Sequence, residues 1–271
     1  MKRRQLFEFE DFARFPSALR DDMTSLIETM HRLLGTDKLI AGLVAEAMRA
    51  GDTNEIIDLC SGAGGPMLRV LWRLRRDHGL SPRLTLTDLH PNREAMAAVN
   101  SLGDPLLSFK VESVDASRVP EELRGVRTMV CSFHHMPPAA ARAILKDAFD
   151  RRIPLCVFEV GDNSQPAGLT LAALPLAVMA AYALTPLARP WTLRRALLTY
   201  ALPVVPAAFA WDGIASGLRI YAAKDLAELL EGLAAPDYVW RTGTLTRRGL
   251  PIRFQYLLGL PNSETGGQPH G

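Results

Sequence analysis

The sequence DLCSGAGGP at residues 58–66 decides the fold of this chain. An apolar run that begins at Glu55 leads into it, and a helical pattern of apolar residues follows from Leu68. Small residues directly after a buried strand let the backbone turn tightly and approach a ligand closely. A helix beginning near Pro66 offers free N–H groups and a partial positive charge to an anionic group. The stretch therefore predicts a strand, a tight loop and a helix. The loop either binds a ligand or serves only as a tight turn between the strand and the helix.

On both sides of this unit, apolar runs alternate with helical patterns. The pattern predicts strands at 55–60, 83–87, 106–111, 127–131 and 154–160, and helices at 68–76, 91–100 and 139–149. Such alternation is typical of α/β proteins in which helices cover both faces of a parallel sheet. Two more strands, Tyr238–Thr246 and Ile252–Leu260, predict a terminal hairpin. Ahead of the sheet, residues 17–50 are predicted to form two helices separated at Gly35.

Two common phosphate-binding motifs do not match the loop. A dinucleotide-binding G-x-G-x-x-G/A sequence that starts at Gly62 would need a small residue at position 67, where Met67 stands. No G-K-[ST] sequence follows the glycines, so the P-loop of nucleoside triphosphatases is excluded. The first mismatch disfavours an NAD(P)-dependent reductase.

Acidic residues follow the next two predicted strands. Asp88 ends the second strand, and Asp115 follows the third. An acid at the end of the second strand is placed to accept hydrogen bonds from ribose hydroxyls, and one after the third could accept from an exocyclic amine. Each acid alone is more often a solvated loop carboxylate. Because the carboxyl ends of parallel strands meet at one edge of a sheet, the two together predict a nucleoside site.

These motifs resemble those of the class I S-adenosylmethionine-dependent methyltransferases. Residues 58–64 are similar to the family's first motif, E/D-x-G-x-G-x-G, with Cys60 where a glycine is common. The resemblance covers residues 50–160 and, by order, the terminal strand pair; residues 211–221 are also similar to bacterial members. It implies a Rossmann-like α/β fold with a seven-stranded sheet whose last strand is antiparallel. It also implies S-adenosylmethionine as the cofactor.

The resemblance further implies where the cofactor binds. Asp58 would position its methionine part, and Gly62 and Gly64 would make room for it. Asp88 matches the ribose-binding acid, and Asp115 matches the adenine contact. The residues predicted to bind the cofactor are Asp58, Cys60, Ser61, Gly62, Gly64, Asp88, Leu89, Asp115, Ala116, Ser132 and Phe133.

The loop after the fourth strand, residues 131–138, would lie beside the transferred methyl group. Methyl transfer from a sulfonium is an in-line displacement that sometimes needs a base to take a proton from the acceptor. His134 and His135 are the candidate catalytic residues; alternatively, they shape the loop. Glu159 and Asp162, at the end of the fifth strand, either contact the acceptor or stabilise the fold. The sequence FHHMPP replaces the [DN]-P-P-[YFW] signature of amino-methylating relatives, which argues against methylation of a nucleic-acid base.

An apolar insertion separates the fifth strand from the hairpin. Residues 163–188 and 196–211 contain no charged side chain, and Arg189, Arg194 and Arg195 lie between them. Three interpretations compete: a lid over an apolar acceptor, an element on a membrane surface with the arginines at the headgroups, or a homodimer interface. A membrane-spanning hairpin is disfavoured, because prolines interrupt both stretches and three arginines would have to cross.

The composition of the chain limits the partners and the cellular location that can be expected. The chain has 271 residues, of which 48% are hydrophobic, and its mean hydropathy is +0.05. Since 31 basic residues face 29 acidic ones, for a net charge of +2, no nucleic-acid partner is expected. Three cysteines suit a reducing cytosol, and the first residues do not resemble a secretory signal. The expected location is cytoplasmic, or peripheral to the inner face of the membrane. No spacing of histidines, cysteines and acids predicts a metal site.

The sequence predicts an S-adenosylmethionine-dependent methyltransferase that acts by O- or C-transfer on a small apolar or lipid-like acceptor. The alternatives are a cofactor-binding module or cyclase that transfers no methyl group, and, less favoured, the reductase. The predicted organisation is a helical cap at 1–50, an α/β core at 51–162, the apolar helical insertion at 163–211, the rest of the core at 212–261 and a disordered tail at 262–271.

Overall fold

The computed structural model describes residues 2–12, 14–249 and 252–262. Within these ranges, seven strands form one sheet in the order β3-β2-β1-β4-β5-β7-β6. The first five strands pair in parallel, and β7 runs antiparallel to both of its neighbours. The strands are β1 Glu55–Asp58, β2 Arg83–Leu86, β3 Leu107–Phe109, β4 Val126–Val130, β5 Leu155–Val160, β6 Tyr238–Thr246 and β7 Arg253–Pro261. The Rossmann-like sheet predicted from the sequence is confirmed.

Ten α-helices lie in the described residues. They are α1 Ser17–Leu34, α2 Thr36–Ala50, α3 Met67–His78, α4 Arg93–Asn100, α5 Pro138–Asp150, α6 Ala167–Ala172, α7 Leu174–Leu184, α8 Leu193–Ala196, α9 Val204–Arg219 and α10 Ala223–Leu230. Gly35 ends α1 with a left-handed backbone (φ +61°), a conformation that glycine adopts without a steric penalty. The predicted break between the first two helices is therefore confirmed.

The alternation of side chains along the central strands explains why helices cover both faces. In β1, Ile56 belongs to the core on the side of α2 and α3, whereas Ile57 belongs to the core on the side of α5 and α10. In β5, Phe158 belongs to the core on the side of α2 and α3, and Val157 belongs to the core on the side of α5 and α10. Successive residues of a strand point to opposite faces, so a strand that is apolar throughout needs a helical layer on each side.

The N-terminal segment precedes the two predicted helices. Residues 2–12, which we call the N-terminal strap, contain only a short 3-10 turn at Phe9–Asp11. The strap crosses the carboxyl edge of the sheet: Arg3 donates to the carbonyl oxygen of His134, and the backbone of Arg4 donates to that of Leu218. The first α-helix begins at Ser17, as predicted.

The insertion consists of α6–α8 and the first part of α9. Its predicted end at residue 211 falls inside α9, which continues without a break to Arg219. It packs on α1 through a small apolar core and through Asp22, which is buried and accepts hydrogen bonds from Arg194 and Arg195. Arg195 is buried as well, so a desolvated ion pair holds the insertion to the N-terminal helices.

A helix that crosses a bilayer needs about 20 predominantly apolar residues. No single helix among the described residues is both long enough and apolar enough to meet this requirement. One pair, Leu193–Ala201 and Val204–Arg219, reaches that length and composition only when taken together, and it is bent by 79°. Residues 263–271, which hold most of the predicted disordered tail, lie outside the described residues.

The ion pair that anchors the insertion leads to a prediction about stability. Replacing Asp22→Ala would leave the buried Arg195 guanidinium without its carboxylate, and removing one partner of a buried pair costs about 3–5 kcal/mol. We therefore expect a loss of that order in the free energy of unfolding, measured by urea denaturation. Asp21→Ala, on the exposed side of the same helical turn, is the matched control and should change stability by less than about 0.5 kcal/mol. Equal effects of the two substitutions would contradict the anchoring role.

Candidate active site

The loop after β1 is built around backbone conformations that favour glycine. Gly62 and Gly64 have positive φ angles of +55° and +97°, and Cys60 has a φ of +58°. A glycine is common at position 60 in the family that the sequence resembles. The left-handed backbone explains that preference, because a side chain there costs free energy that glycine avoids. Cys60 thus adopts a backbone conformation that glycine would adopt at a lower cost in free energy.

Asp58 supports this loop from beneath. Its buried carboxylate accepts hydrogen bonds from the hydroxyls of Ser61 and Thr128, both at 2.6 Å. Burial raises the pKa of Asp58 to about 7, although these two hydrogen bonds act in the opposite direction. The carboxylate therefore connects β1, the loop and β4. A direct contact between Asp58 or Ser61 and a methionine group stays a prediction.

The acids that follow β2 and β3 meet at the same edge. Asp88 is half-buried and accepts from the backbone N–H groups of Gly62 and His90, both at 2.8 Å. The exposed Asp115 accepts from both the backbone and the hydroxyl of Ser117. The Cys60 thiol lies between these groups: burial and then the charges of Asp88, Asp58 and Asp115 raise its pKa to about 12. The structure thus brings the predicted acids together around the glycine-rich loop.

The remaining predicted cofactor residues lie next to these acids in the chain or follow β4. Leu89 is exposed beside Asp88, and Ala116 is buried beside Asp115. On the β4 side, Phe133 packs its ring against Tyr221, with centroids 5.4 Å apart. Ser132 is buried there, and its hydroxyl has no hydrogen-bond partner among the described residues. An unsatisfied buried hydroxyl costs free energy unless another group satisfies it, so Ser132 is suited to meet a ligand.

His134 and Glu159 form a buried pair at the ends of β4 and β5. The backbone N–H of His134 lies 3.0 Å from one oxygen of Glu159, and its Nδ1 lies 2.7 Å from the other. The second ring nitrogen, Nε2, is buried without a hydrogen-bond partner among the described residues. Because the carboxylate accepts a hydrogen bond from Nδ1–H, the neutral ring carries its free lone pair on Nε2. The candidate base predicted from the sequence is thus oriented by a second residue.

The charge of this pair determines the protonation of His134. Burial opposes the imidazolium form, but the charges of Glu159 and Glu8 outweigh it and raise the pKa of His134 above its usual 6.5. A raised pKa makes the imidazole a stronger base near neutral pH. His135 is half-buried and its Nδ1 lies 3.1 Å from Asp11, so its main partner belongs to the strap and not to β5.

The N-terminal strap adds polar residues that no sequence motif assigned to the site. Glu8 is buried, with one oxygen 3.8 Å from His134 Nε2 and 2.8 Å from Arg219 Nη1. Arg219 also donates to Asp11. The only signal in the sequence is the alternation of aromatic and acidic residues in FEFEDF at 7–12. Its meaning depends on the strap lying across the sheet edge, which no local pattern predicts.

Glu8, His134 and His135 also bring three potential metal ligands together. Their ligand atoms all lie within 4.8 Å of one another, and two imidazoles with a carboxylate are a donor set that zinc accepts. No sequence spacing predicts this group, because Glu8 is remote in the chain. The Arg219 guanidinium already neutralises Glu8 and would repel a second cation at the same carboxylate.

Two cavities flank the site. One, of about 280 Å³, lies beside the glycine-rich loop and is bordered by His31, Gly65 and Arg69. The other is an apolar groove of about 720 Å³ between the strap and the insertion, bordered by residues that include Phe7, Phe9, Leu174, Val178, Leu202 and Trp211. We call it the apolar groove. Its walls are those expected for an apolar ligand.

Solved structures share this architecture at low sequence identity. The structure of the plantazolicin methyltransferase BpumL in complex with SAH matches with a TM-score of 0.50 and 10% identity, over 91% of this chain and 98% of that one. This chain has the class I methyltransferase fold. LaPhzM matches with a TM-score of 0.50 and 15% identity, over 94% of this chain and 62% of its own. No protein-family model matches the sequence, and no curated protein matches it.

Within this methyltransferase fold, the His134–Glu159 pair yields a prediction about titration. In Glu159→Gln the largest charge that favours the imidazolium is gone while burial remains, so we expect the pKa of His134 to fall below 6.5. In the unchanged protein it should lie above 6.5. The measurement is an NMR titration of the imidazole carbon-bound protons. Asp162→Asn removes a neighbouring acid whose hydrogen bonds go to Ser164 and Arg253, and it should leave the pKa of His134 unchanged. An unaltered pKa in Glu159→Gln would show that Glu159 does not control this base.

Proposed function

We propose that this chain is an S-adenosylmethionine-dependent methyltransferase in which His134 removes a proton from a small apolar or lipid-like acceptor. The observation that carries the proposal is the buried pair of His134 and Glu159 at the carboxyl edge of the sheet, with the Nε2 atom of His134 left without a hydrogen-bond partner among the described residues. The fold shared with methyltransferases supports the choice of reaction. The residues around the glycine-rich loop support the choice of cofactor.

The residues present fit that cofactor. Asp88 is held in place by Gly62 and His90 and presents a carboxylate to a ribose. Asp115 is exposed at the adjoining strand end, where an adenine amine would lie. The buried Ser132 hydroxyl still lacks a partner among the described residues. When bound, S-adenosylmethionine supplies an electrophilic methyl group on a positively charged sulfur.

The chain's own residues then complete the displacement. Transfer of the methyl group to the acceptor oxygen or carbon would leave the acceptor with a proton to lose. The proton of the acceptor goes to Nε2 of His134, while Glu159 holds Nδ1 and stabilises the imidazolium. A base of this strength suits an acceptor with an acidic O–H or C–H, such as a phenol or a carbon between two carbonyl groups, better than an alkyl alcohol.

The apolar groove supports an apolar acceptor. Its walls are aliphatic and aromatic, and it lies against the outer side of the strap, whose inner side places Glu8 beside His134. The insertion, through Leu174, Val178 and Leu202, supplies a large part of that wall. We therefore assign the insertion the role of a lid that recognises the acceptor.

The cofactor assignment predicts a pattern of binding by calorimetry. S-adenosylmethionine and S-adenosylhomocysteine should bind, and NADH should not. Asp88→Asn should weaken S-adenosylhomocysteine binding by about ten-fold or more, since a hydrogen bond to a charged group contributes about 1.5–3 kcal/mol. Glu112→Gln, an exposed acid near the same edge, is the control and should bind as the unchanged protein does. Tight NADH binding without adenosyl-ligand binding would reject the proposed function.

If His134 is the general base, its replacement should lower the rate of turnover without weakening the binding of adenosyl ligands. His134→Gln should lower the rate of S-adenosylhomocysteine release with phenolic or 1,3-dicarbonyl acceptors by about 10²–10⁴-fold, with adenosyl-ligand affinity retained. Activity of the unchanged protein should fall as the pH drops through the raised pKa of His134, because a base must be unprotonated. His135→Gln is the matched control and should stay within a few-fold. Full activity of His134→Gln would rule out His134 as the general base. If the protein bound adenosyl ligands but turned over no acceptor, that result would favour a cofactor-binding module or cyclase that transfers no methyl group.

A further inference from the structure

The insertion exposes an unusual amount of apolar surface. Large hydrophobic side chains of the kind that soluble proteins usually bury are open to solvent there, with Leu176 73% exposed and Met179 63% exposed. Monomeric soluble proteins rarely expose large contiguous apolar patches without a partner. We call these side chains the apolar face; its members include Leu176, Met179, Trp191, Leu193, Tyr200 and Leu202.

The apolar face spans two segments that lie side by side. On α7, Leu176, Met179 and Ala183 follow helical spacing and point away from the groove that Leu174 and Val178 line. The Tyr200 hydroxyl donates to the carbonyl oxygen of Tyr182, and the two rings lie 5.7 Å apart. This contact keeps residues 197–202 beside α7, so that the exposed side chains of both segments form one surface.

The charge next to this face is positive and unneutralised. Residues 163–211 contain no acidic side chain, and all of their charges are arginines. Arg194 and Arg195 are used internally by Asp22. Arg189 and Arg32 are exposed, and among the described residues their guanidinium groups bond only to backbone carbonyl oxygens. Arg189 lies two residues before Trp191, and Arg32 donates to the carbonyl oxygen of Leu187. Both arginines also border the 280 Å³ cavity beside the glycine-rich loop.

We propose that the apolar face and these two arginines dock the protein onto the surface of a bilayer that contains anionic lipids. The face would enter the boundary between headgroups and acyl chains, as interfacial apolar helices do, with Trp191 and Tyr200 at the depth that such aromatic residues prefer. Arg32 and Arg189 attract anionic headgroups. The short helices and their 79° bend suit an element that lies in the interface.

This docking would also place the apolar groove at the bilayer. Leu202 belongs to both the apolar face and the groove wall, so the end of the groove at Leu202 would lie next to the bilayer. This step rests on the proposed function; the docking itself does not.

Vesicle flotation of the full-length chain tests the proposal. The unchanged protein should float with vesicles of phosphatidylcholine and phosphatidylglycerol, and less with phosphatidylcholine alone or at high salt. The double variant Leu176→Asp/Met179→Asp should bind at least about ten-fold more weakly. Leu102→Asp, at a side chain 62% exposed outside the insertion, is the matched control and should float as the unchanged protein does. Arg32→Ala and Arg189→Ala should each weaken binding to the anionic vesicles about five-fold.

Three outcomes would overturn the proposal. The unchanged protein could stay with the unbound fraction, or the double variant could float as well as the unchanged protein. Alternatively, sedimentation could show a dimer that the double variant dissociates, with no vesicle binding, which would assign the face to a second copy of the chain. S-adenosylhomocysteine affinity should be the same in the double variant, so failure of the docking and failure of the proposed function are distinguishable.

Discussion

The buried carboxylate of Glu159 is the constraint on which the site depends. A charge removed from water must be paired and hydrogen-bonded, and Glu159 meets this requirement by accepting from both the backbone and the ring of His134. That pairing determines the conformation of the loop after β4 and the tautomer of the imidazole. It also leaves Nε2 as the ring nitrogen that faces Glu8 of the strap, 3.8 Å away. One carboxylate at the end of β5 thus positions the candidate base.

The same requirement accounts for the N-terminal strap. Glu8 enters the buried space beside His134, and its charge is matched by Arg219 at the end of α9. If the strap left the sheet edge, the charges of Glu8 and Arg219 would therefore lose their partners. A second desolvated pair, Asp22 with Arg195, holds the insertion against α1. Ionic contacts consequently attach both covering elements, whereas the sheet itself is held by apolar side chains on its two faces.

Much of the fold could be predicted from the sequence because its signals are local. Strand–helix alternation, the glycine-rich loop and the terminal hairpin each depend on neighbouring residues, and each agrees with the structure. Other features have no local signal. The change from uncharged to charged residues near position 211 falls inside α9, so composition does not mark the end of that helix. Residues 2–12 form a strap whose hydrogen bonds go to distant partners, which no pattern of neighbouring residues specifies.

Local sequence patterns specify the alternation of strands and helices and the acids at the edge where a nucleoside would bind, because period, turn residues and strand ends are properties of short segments. They also place His134 at that edge and concentrate the uncharged residues in the insertion. The choice between His134 and His135 as the imidazole oriented from β5 depends on the folded structure, which pairs the first with Glu159 and the second with Asp11. The folded structure alone brought Glu8 and Arg219 to the site, and it alone showed which side chains of the insertion face water. These outcomes depend on contacts between residues far apart in the chain, and the energies that select them, burial and charge pairing, exist only once the chain has folded.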